Sequence, residues 1–361
     1  MPSLPGVIDF RPIQAGLWHP TGCESLGPAE AETEGSQGMG ETAKAHHAAR
    51  IYSTLSDGAS AARSAVAASW SRSVTQYGLD PDQHRPPHRL DSAAFNLAFE
   101  RTERLVRLAQ PTLDRLFDAV GDAGCCVLLT DRDGVPLDRL GAAGDDADFL
   151  DLGLWTGMVW SEASEGTNGV GTCLAEGRAL TIHRDQHFLT RNIGLSCTVS
   201  PIWDAEGRLV ATLDVSTCRA DLTPTMLRLI ATAANEAAHG IEARHFRDTF
   251  SHARVMLGPD LGKGAAGLIA VDREDLVIGA NRAARLAYGL TDARLGSPFP
   301  AADLFEGPDR PGEDLITAER GAVQRALSRA KGNVSAAARL LGVSRATMHR
   351  KIARFSLGRS H

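Results

Sequence analysis

Cysteines, one histidine and two glycine-rich runs have the most chemistry to offer in this sequence, and their spacing restricts what that chemistry can be. The six cysteines, Cys23, Cys125, Cys126, Cys173, Cys197 and Cys218, form no CxxC pair and no zinc-type Cys/His pattern. They read as free buried thiols, because an unpaired cysteine behaves as a small apolar residue. None has a base or cation at a local motif spacing that would create a thiolate nucleophile. His187 lacks a second ligand at helical spacing, so no metal site is expected. The run Gly166-Thr-Asn-Gly-Val-Gly171 would cradle phosphate only after a suitable strand and with a Lys-Ser/Thr ending. Both are missing, and loop and cap geometry is expected instead. Gly258-Pro-Asp-Leu-Gly-Lys263 is one residue short of a P-loop, and Gly264 stands where Ser or Thr would bind magnesium. No catalytic residue, cofactor or metal follows, and the chain is not expected to be an enzyme.

The formal net charge of −6 conceals an asymmetry. From Thr317 to His361 there are ten Lys or Arg and one acid, Glu319. A basic tail on an acidic body points to nucleic acid as the partner of the tail alone. The tail reads as three helices. In Ile316–Ala330, Val323, Ala326, Leu327 and Ala330 share a face. Gly332 ends it, and Asn333 can cap Val334–Leu341, with Ala337, Leu340 and Leu341 inward. Gly342 sits at the turn, Ser344 can cap the third helix, and Met348, Ile352 and Phe355 recur at i, i+4 and i+7. Ala337 and Ala338 permit two short helices to cross closely, as in a helix-turn-helix, whose second helix enters the major groove. Burial of Met348, Ile352 and Phe355 turns Arg345, Ala346, Thr347, His349 and Arg350 outward toward base edges. Arg339, Lys351 and Arg354 are placed for phosphates, and Ser344 opens the recognition helix.

Gly332-Asn-Val-Ser-Ala-Ala-Ala-Arg-Leu-Leu-Gly-Val-Ser-Arg345, followed by Thr347-Met-His-Arg-Lys-Ile352, resembles the Fis-type C-terminal domain of bacterial enhancer-binding regulators. The resemblance implies binding of double-stranded DNA as a homodimer. A helical bundle that only dimerises is the competing reading.

The body carries a second resemblance. Ser69-Trp-Ser-Arg-Ser-Val-Thr-Gln-Tyr-Gly-Leu-Asp80 is similar to the lead segment of acetoin-catabolism-type regulators. Leu128-Leu-Thr-Asp-Arg-Asp-Gly134 and Trp160-Ser-Glu-Ala-Ser-Glu-Gly-Thr-Asn-Gly-Val-Gly-Thr172 resemble their GAF domain. Gln186-His-Phe188, Ser196–Ile202 and Leu213–Ser216 continue the match in order. It implies an antiparallel sheet with flanking helices and a pocket for an unknown small-molecule effector. Trp160, Glu162, Asn168, His187, Phe188 and Cys197 are the candidates to line that pocket, with a packing or capping role equally open to each. Gly267–Asp272 and Ile278–Arg285 resemble the opening of a PAS domain, here short, with a dimerisation or relay role or that of a folded linker.

These elements lay out an α+β multidomain chain. Residues 1–43 form a disordered extension, too poor in apolar residues to offset ordering entropy. A helical lead segment covers 44–118, with Pro111 kinking or dividing its long second helix. A GAF-like domain spans 119–248, with strands at 125–130, 135–140, 179–183, 196–203 and 208–215, and a helix from Pro224 to Phe246. A PAS-like segment spans 260–306, a linker 307–315, and a three-helix Fis-type helix-turn-helix 316–361. No apolar run reaches the roughly 18–20 residues of a membrane span, and no secretory signal is visible, so no membrane partner and a cytoplasmic location are expected.

Acetoin-type regulators carry an ATPase domain between sensor and tail. This sequence has neither room for one nor a GAFTGA loop. Repression by occupancy, or activation by recruiting RNA polymerase, is expected rather than ATP-driven remodelling. Two further readings remain: a GAF-type cysteine-dependent sulfoxide reductase drawing on Cys173, Cys197 and Cys218, and a thiol redox sensor acting through a Cys pair in the GAF domain.

Overall fold

The structure is a computed structural model that describes residues 46–56, 59–258, 265–297, 299–305 and 315–357. The expected extension at 1–43, Cys23, residues 259–263 of the P-loop-like run and linker residues 307–314 lie outside the described residues.

The central feature is a five-stranded antiparallel sheet of order β2-β1-β5-β4-β3. Its strands are β1 (Cys125–Asp131), β2 (Pro136–Leu140), β3 (Leu180–His183), β4 (Ser196–Trp203) and β5 (Leu209–Thr217). Both hairpins turn on an aspartate. Asp131 Oδ1 accepts from the backbone N–H of Asp133 and Val135, at 2.9 Å each. Asp204 Oδ1 accepts in the same way from Glu206 (3.0 Å) and Arg208 (2.8 Å). An Asx turn of this kind fixes loop length and hence strand register.

The sheet is buried on both faces, so its strands read as apolar runs rather than alternating ones. Cys125, Val127, Leu129, Leu213 and Val215 face two long helices, Ser92–Val120 and Pro224–Thr249. Cys126, Leu128, Cys197 and Val199 face the opposite way, under Phe149, Leu154, Trp160, Val170 and Cys173. The helix Ser92–Val120 continues through Pro111, so of the two expected effects, kinking and dividing, division does not occur. Leu105, Ala109, Leu113 and Leu116, on both sides of the proline, are buried against the sheet. That packing outweighs the backbone hydrogen bond proline cannot donate. Thr223 caps the second long helix by accepting from Met226 N–H, and Pro224 occupies its first turn.

A second, smaller sheet follows, of order β6-β7-β8-β9, with β6 (Arg254–Leu257), β7 (Leu268–Val271), β8 (Leu276–Ala280) and β9 (Phe299–Pro300). It begins at Arg254, upstream of the expected segment. Asp272 repeats the aspartate turn toward Glu274 and Leu276. Asn281 caps the helix Arg282–Tyr288, accepting from Ala284 N–H (3.0 Å) and Leu268 N–H (2.8 Å). The sheet is joined to the first through Phe246, Phe250 and Ala205 against Leu268 and Ala270. Among the described residues, no helix is long and apolar enough to cross a membrane.

Three helices close the chain: Leu315–Arg329, Val334–Leu340 and Arg345–Arg354. Val323, Ala326, Ala337, Ala338, Met348 and Phe355 form their core, with Leu327, Ala330, Leu341 and Ile352 partly buried around it. Leu340 departs from its expected inward place and is 58% exposed. On an ideal helix it lies about 200° from Ala338, so a face buried through Ala338 excludes it.

Candidate functional site

The C-terminal helices bring together most of the residues expected at a DNA surface. Asn333 caps the first helix of the pair, accepting from Ala336 N–H at 3.1 Å. Ser344 caps the recognition helix Arg345–Arg354, accepting from Thr347 N–H at 3.1 Å. Gly342 takes φ +64° in the turn, a conformation costly for any residue with a Cβ. With Met348 fully buried and Phe355 beneath the helix, Arg345, Ala346, His349 and Arg350 are all exposed. Arg339 is exposed on the preceding helix. Thr347 is half-buried, its hydroxyl 2.9 Å from Ser344 Oγ, so both hydroxyls are already engaged in the cap.

Lys351 is placed differently from the sequence expectation. Its ammonium is ion-paired with Glu319 of the first helix, and Arg354 Nη1 lies 3.6 Å from the other carboxylate oxygen. Lys351 therefore faces the neighbouring helix rather than solvent, because it sits only about 60° from Met348 on an ideal helix. Spacing within one helix could not reveal a partner 32 residues upstream.

Cys197 in β4 and the other five pocket candidates, on the helices and loops over the first sheet, are all buried, and each has an internal partner or packing role. Trp160 Nε1 donates to Gly153 O at 2.8 Å. Asn168 caps the helix Gly169–Glu176: its Oδ1 accepts from Gly171 N–H (2.8 Å) and its Nδ2 donates to Gly166 O (2.9 Å). Phe188 packs against Ile51, Trp70 and Leu79 of the lead segment. The glycine run has a steric use. A Cβ on Gly169 would fall 2.6 Å from Cys197 Cβ and 2.7 Å from Val199 Cγ2, so this helix lies directly on β4. Gly166 takes φ +63°.

Glu162 anchors a clasp that sequence spacing did not reveal. It is 4% exposed. Arg72 donates to it twice, from Nε to Oε2 and from Nη2 to Oε1, both at 2.8 Å, and donates to Glu176 at 3.0 Å. Ser69 Oγ donates to Glu162 Oε1 at 2.5 Å, and Thr167 Oγ1 donates to Ser69 Oγ at 2.7 Å. Trp70 Nε1 donates to Gln186 O at 2.9 Å. Ser69, Trp70 and Arg72 of the helix Ala65–Thr75 thus fasten the lead segment onto the loops over the sheet. The fork of charge-assisted bonds raises the Arg72 pKa further.

Cys197 and His187 form a pair hidden from sequence, with His187 Nε2 3.4 Å from Cys197 Sγ. Burial pushes the His187 imidazole down to about 4 and the Cys197 thiol well above its usual range. The pair is therefore neutral and enclosed, the opposite of a reactive thiolate beside an imidazolium. The other described thiols are free; Cys125, Cys126 and Cys173 are buried and Cys218 is partly exposed. Asp214 lies on the same covered face of the sheet, fully buried. Ser216 Oγ donates to its Oδ2 at 2.6 Å, while Oδ1 has no partner. Burial pushes its carboxyl up to about 7. Among the described residues, no group of three His, Cys, Asp or Glu is arranged to hold a metal.

The surface concavities among the described residues include four of similar size, of which one of about 470 Å3 lies between Arg101, Asp131, Asp204 and His245. Another, of about 530 Å3, lies beside Arg50, Trp70 and Asp185. None of the six candidates lines any of the four.

Residues 104–241 match the GAF domain, and residues 316–355 match the bacterial regulatory protein, Fis family. The chain is 37% identical over 226 residues to the acetoin catabolism regulatory protein of Cupriavidus necator, covering 60% of this chain and 33% of that one. It is 25% identical over 182 residues to the acetoin dehydrogenase operon transcriptional activator AcoR of Bacillus subtilis, covering 50% and 30%. Among solved structures, the E. coli DhaR(N)-DhaL complex aligns at a TM-score of 0.45 and 20% identity, over 66% of this chain and 80% of that one. The chain spans about one third of the length of the curated relatives it matches. The chain thus matches a GAF domain and a Fis-family helix-turn-helix on one polypeptide, the pairing of a GAF–Fis regulator.

Proposed function

We propose that this protein is a transcriptional regulator that reads double-stranded DNA as a homodimer through its C-terminal helix pair. In this reading it takes a small-molecule effector at its GAF domain and hydrolyses no ATP. The observation that carries the reading is the exposed face of the recognition helix, where Arg345, Ala346, His349 and Arg350 stand clear of the core fixed by Met348 and Phe355. Arginine reaches two acceptors on guanine at once, and phosphate contacts by neighbouring cations set the register. The Fis-family match over the same residues supports it. Activation through RNA polymerase and repression by occupancy are the two outcomes open to such a reader.

The effector site is assigned to the covered face of the sheet. Its support is the GAF match and the unpartnered oxygen of Asp214, since a buried polar atom without a partner is costly and such atoms mark functional positions. A ligand bearing a hydroxyl would satisfy it. Acetoin is the first probe, because the Cupriavidus relative is named for acetoin catabolism.

Selection of DNA from a random pool by the purified chain tests the first half. A two-fold-symmetric sequence should be enriched, and enrichment of none overturns the reading. The second half is tested by titrating acetoin into the complex with the selected site. An affinity change of about fivefold or more is expected; none removes acetoin as the effector. The cysteine-enzyme reading would need an accessible thiolate, which the Cys197–His187 pair does not supply. Thiol-dependent turnover of methionine sulfoxide would restore it.

A further inference from the structure

Glu319 is the single acid between Thr317 and His361, among ten cations, and it faces two of them. Its carboxylate lies between the first helix and the recognition helix, with side-chain exposure of 28% against 26% for Lys351 and 58% for Arg354. An ideal helix puts Arg350 about 160° from Met348, on the outer face, and Lys351 only about 60° away, beside the core. An ammonium held there by a half-buried carboxylate cannot reach a DNA phosphate without breaking the pair. Core contacts leave the helix a rotational freedom that directed charge contacts can remove.

We propose that Glu319 and Lys351 are positioning residues of the DNA-binding module. Their ion pair sets the rotation of the recognition helix against the first helix, and Lys351 is thereby withdrawn from the set of phosphate contacts. Of the three cations expected at phosphates, Arg339 is the one outside the Glu319 contacts and is left to supply backbone charge. The inference rests on the DNA-reading function proposed above and deepens it.

The two roles for Lys351 separate by salt dependence. A phosphate contact releases counterions, so its loss flattens the plot of log affinity against log salt by about 0.9 per contact. A positioning residue weakens binding without changing that slope. The experiment uses the full chain and its selected DNA site, with four proteins: wild type, Lys351→Met, Glu319→Gln, and the charge reversal Glu319→Lys with Lys351→Glu. The two single variants should weaken specific binding by a similar factor, about three- to tenfold, at unchanged slope. The reversal should return affinity to within about threefold of wild type. Amide exchange across residues 345–354, measured without DNA, should quicken in both single variants and recover in the reversal. The proposal is overturned if Lys351→Met flattens the slope by about 0.9 while Glu319→Gln leaves affinity unchanged or raises it. It is also overturned if the reversal binds no better than the single variants. Should wild type bind no DNA, the DNA reading fails; the exchange arm still decides the ion pair.

Discussion

The clasp between Arg72 and Glu162 offers the sharpest energetic test. Arg72→Met keeps most of the apolar stem and removes the guanidinium. Three charge-assisted hydrogen bonds are lost, and Glu162, 4% exposed, keeps only Ser69 Oγ. Stranding a buried charge costs about 3–5 kcal/mol when the site is dry. The Arg72 side chain is 28% exposed, so water can enter where it stood, and about 2–4 kcal/mol is the expected loss. Glu162→Gln removes the charge that needs compensation, so the double variant should recover much of the loss, with a coupling of at least 1 kcal/mol on the order expected for contacting residues. Urea unfolding followed by tryptophan fluorescence suits the measurement, because Trp70 and Trp160 flank the clasp. Domains can unfold separately, so the transition assigned to these tryptophans is the one to compare. A change below about 0.5 kcal/mol in Arg72→Met, or strict additivity in the double variant, would refute the reasoning.

Three further outcomes follow from the same geometry. Asn168→Ala removes the cap of the helix Gly169–Glu176 and leaves the Gly171 N–H unpaired; a loss of about 2 kcal/mol is expected in the same unfolding assay. Asp214 stays protonated to about pH 7 when folded, whereas its unfolded carboxyl ionises near its ordinary value of 3.8. The unfolded chain therefore binds fewer protons between pH 4 and 7, and stability falls as pH rises through that window. Asp214→Asn abolishes this contribution, so its stability relative to wild type should climb from pH 4 to 7 by up to ~4 kcal/mol and then level off; a pH-independent difference would contradict it. Arg345→Ala should cost about 1–3 kcal/mol at one base position of the selected site and relax preference there, read by competition among single-base variants. Unchanged discrimination would mean the recognition helix meets DNA by another face.

How far the sequence could be read depended on how local each signal was. The C-terminal helices were legible because caps, the glycine turn and the i, i+4, i+7 core lie within forty residues. β4 and both aspartate hairpins were legible for the same reason. The clasp was not, since Ser69 and Arg72 meet partners 90 to 104 residues away. Its two halves, Ser69-Trp-Ser-Arg-Ser73 and Trp160–Thr172, were recognised separately as motifs, and only folding shows that one holds the other. β6 was missed because Arg-Val-Met-Leu shows no alternation, and β9 because it has two residues. Residue type alone marks the six pocket candidates, and it does not distinguish a side chain that caps or packs from one that waits for a ligand. Hydrogen bonds do, and Asp214, which an apolar strand pattern concealed, is among the residues left with a buried unpartnered atom.

The first sheet meets the long helix and the second sheet at the end of β4. β4 runs beneath the helix Gly169–Glu176 and ends at Trp203. There the Trp203 N–H donates to Glu242 Oε1 of the helix Pro224–Thr249 at 2.9 Å, and the Arg282 guanidinium stacks 3.7 Å from the Trp203 ring centroid. Arg282 opens the helix that follows β8, so one residue of the first sheet touches both the long helix and the second sheet's first helix. Phe246 and Phe250, one turn apart on the long helix and its end, pack on each other with centroids 4.8 Å apart beneath the second sheet. Close-packed interfaces of this kind respond by discrete repacking rather than smooth deformation. A ligand that bound the covered face equally well in every arrangement would shift nothing. On the proposed sensing role, the effector must therefore favour one arrangement of these packed elements over another. Trp203 is one residue that joins the GAF sheet to both neighbours, beside the Ala205 and Phe246 contacts with the second sheet.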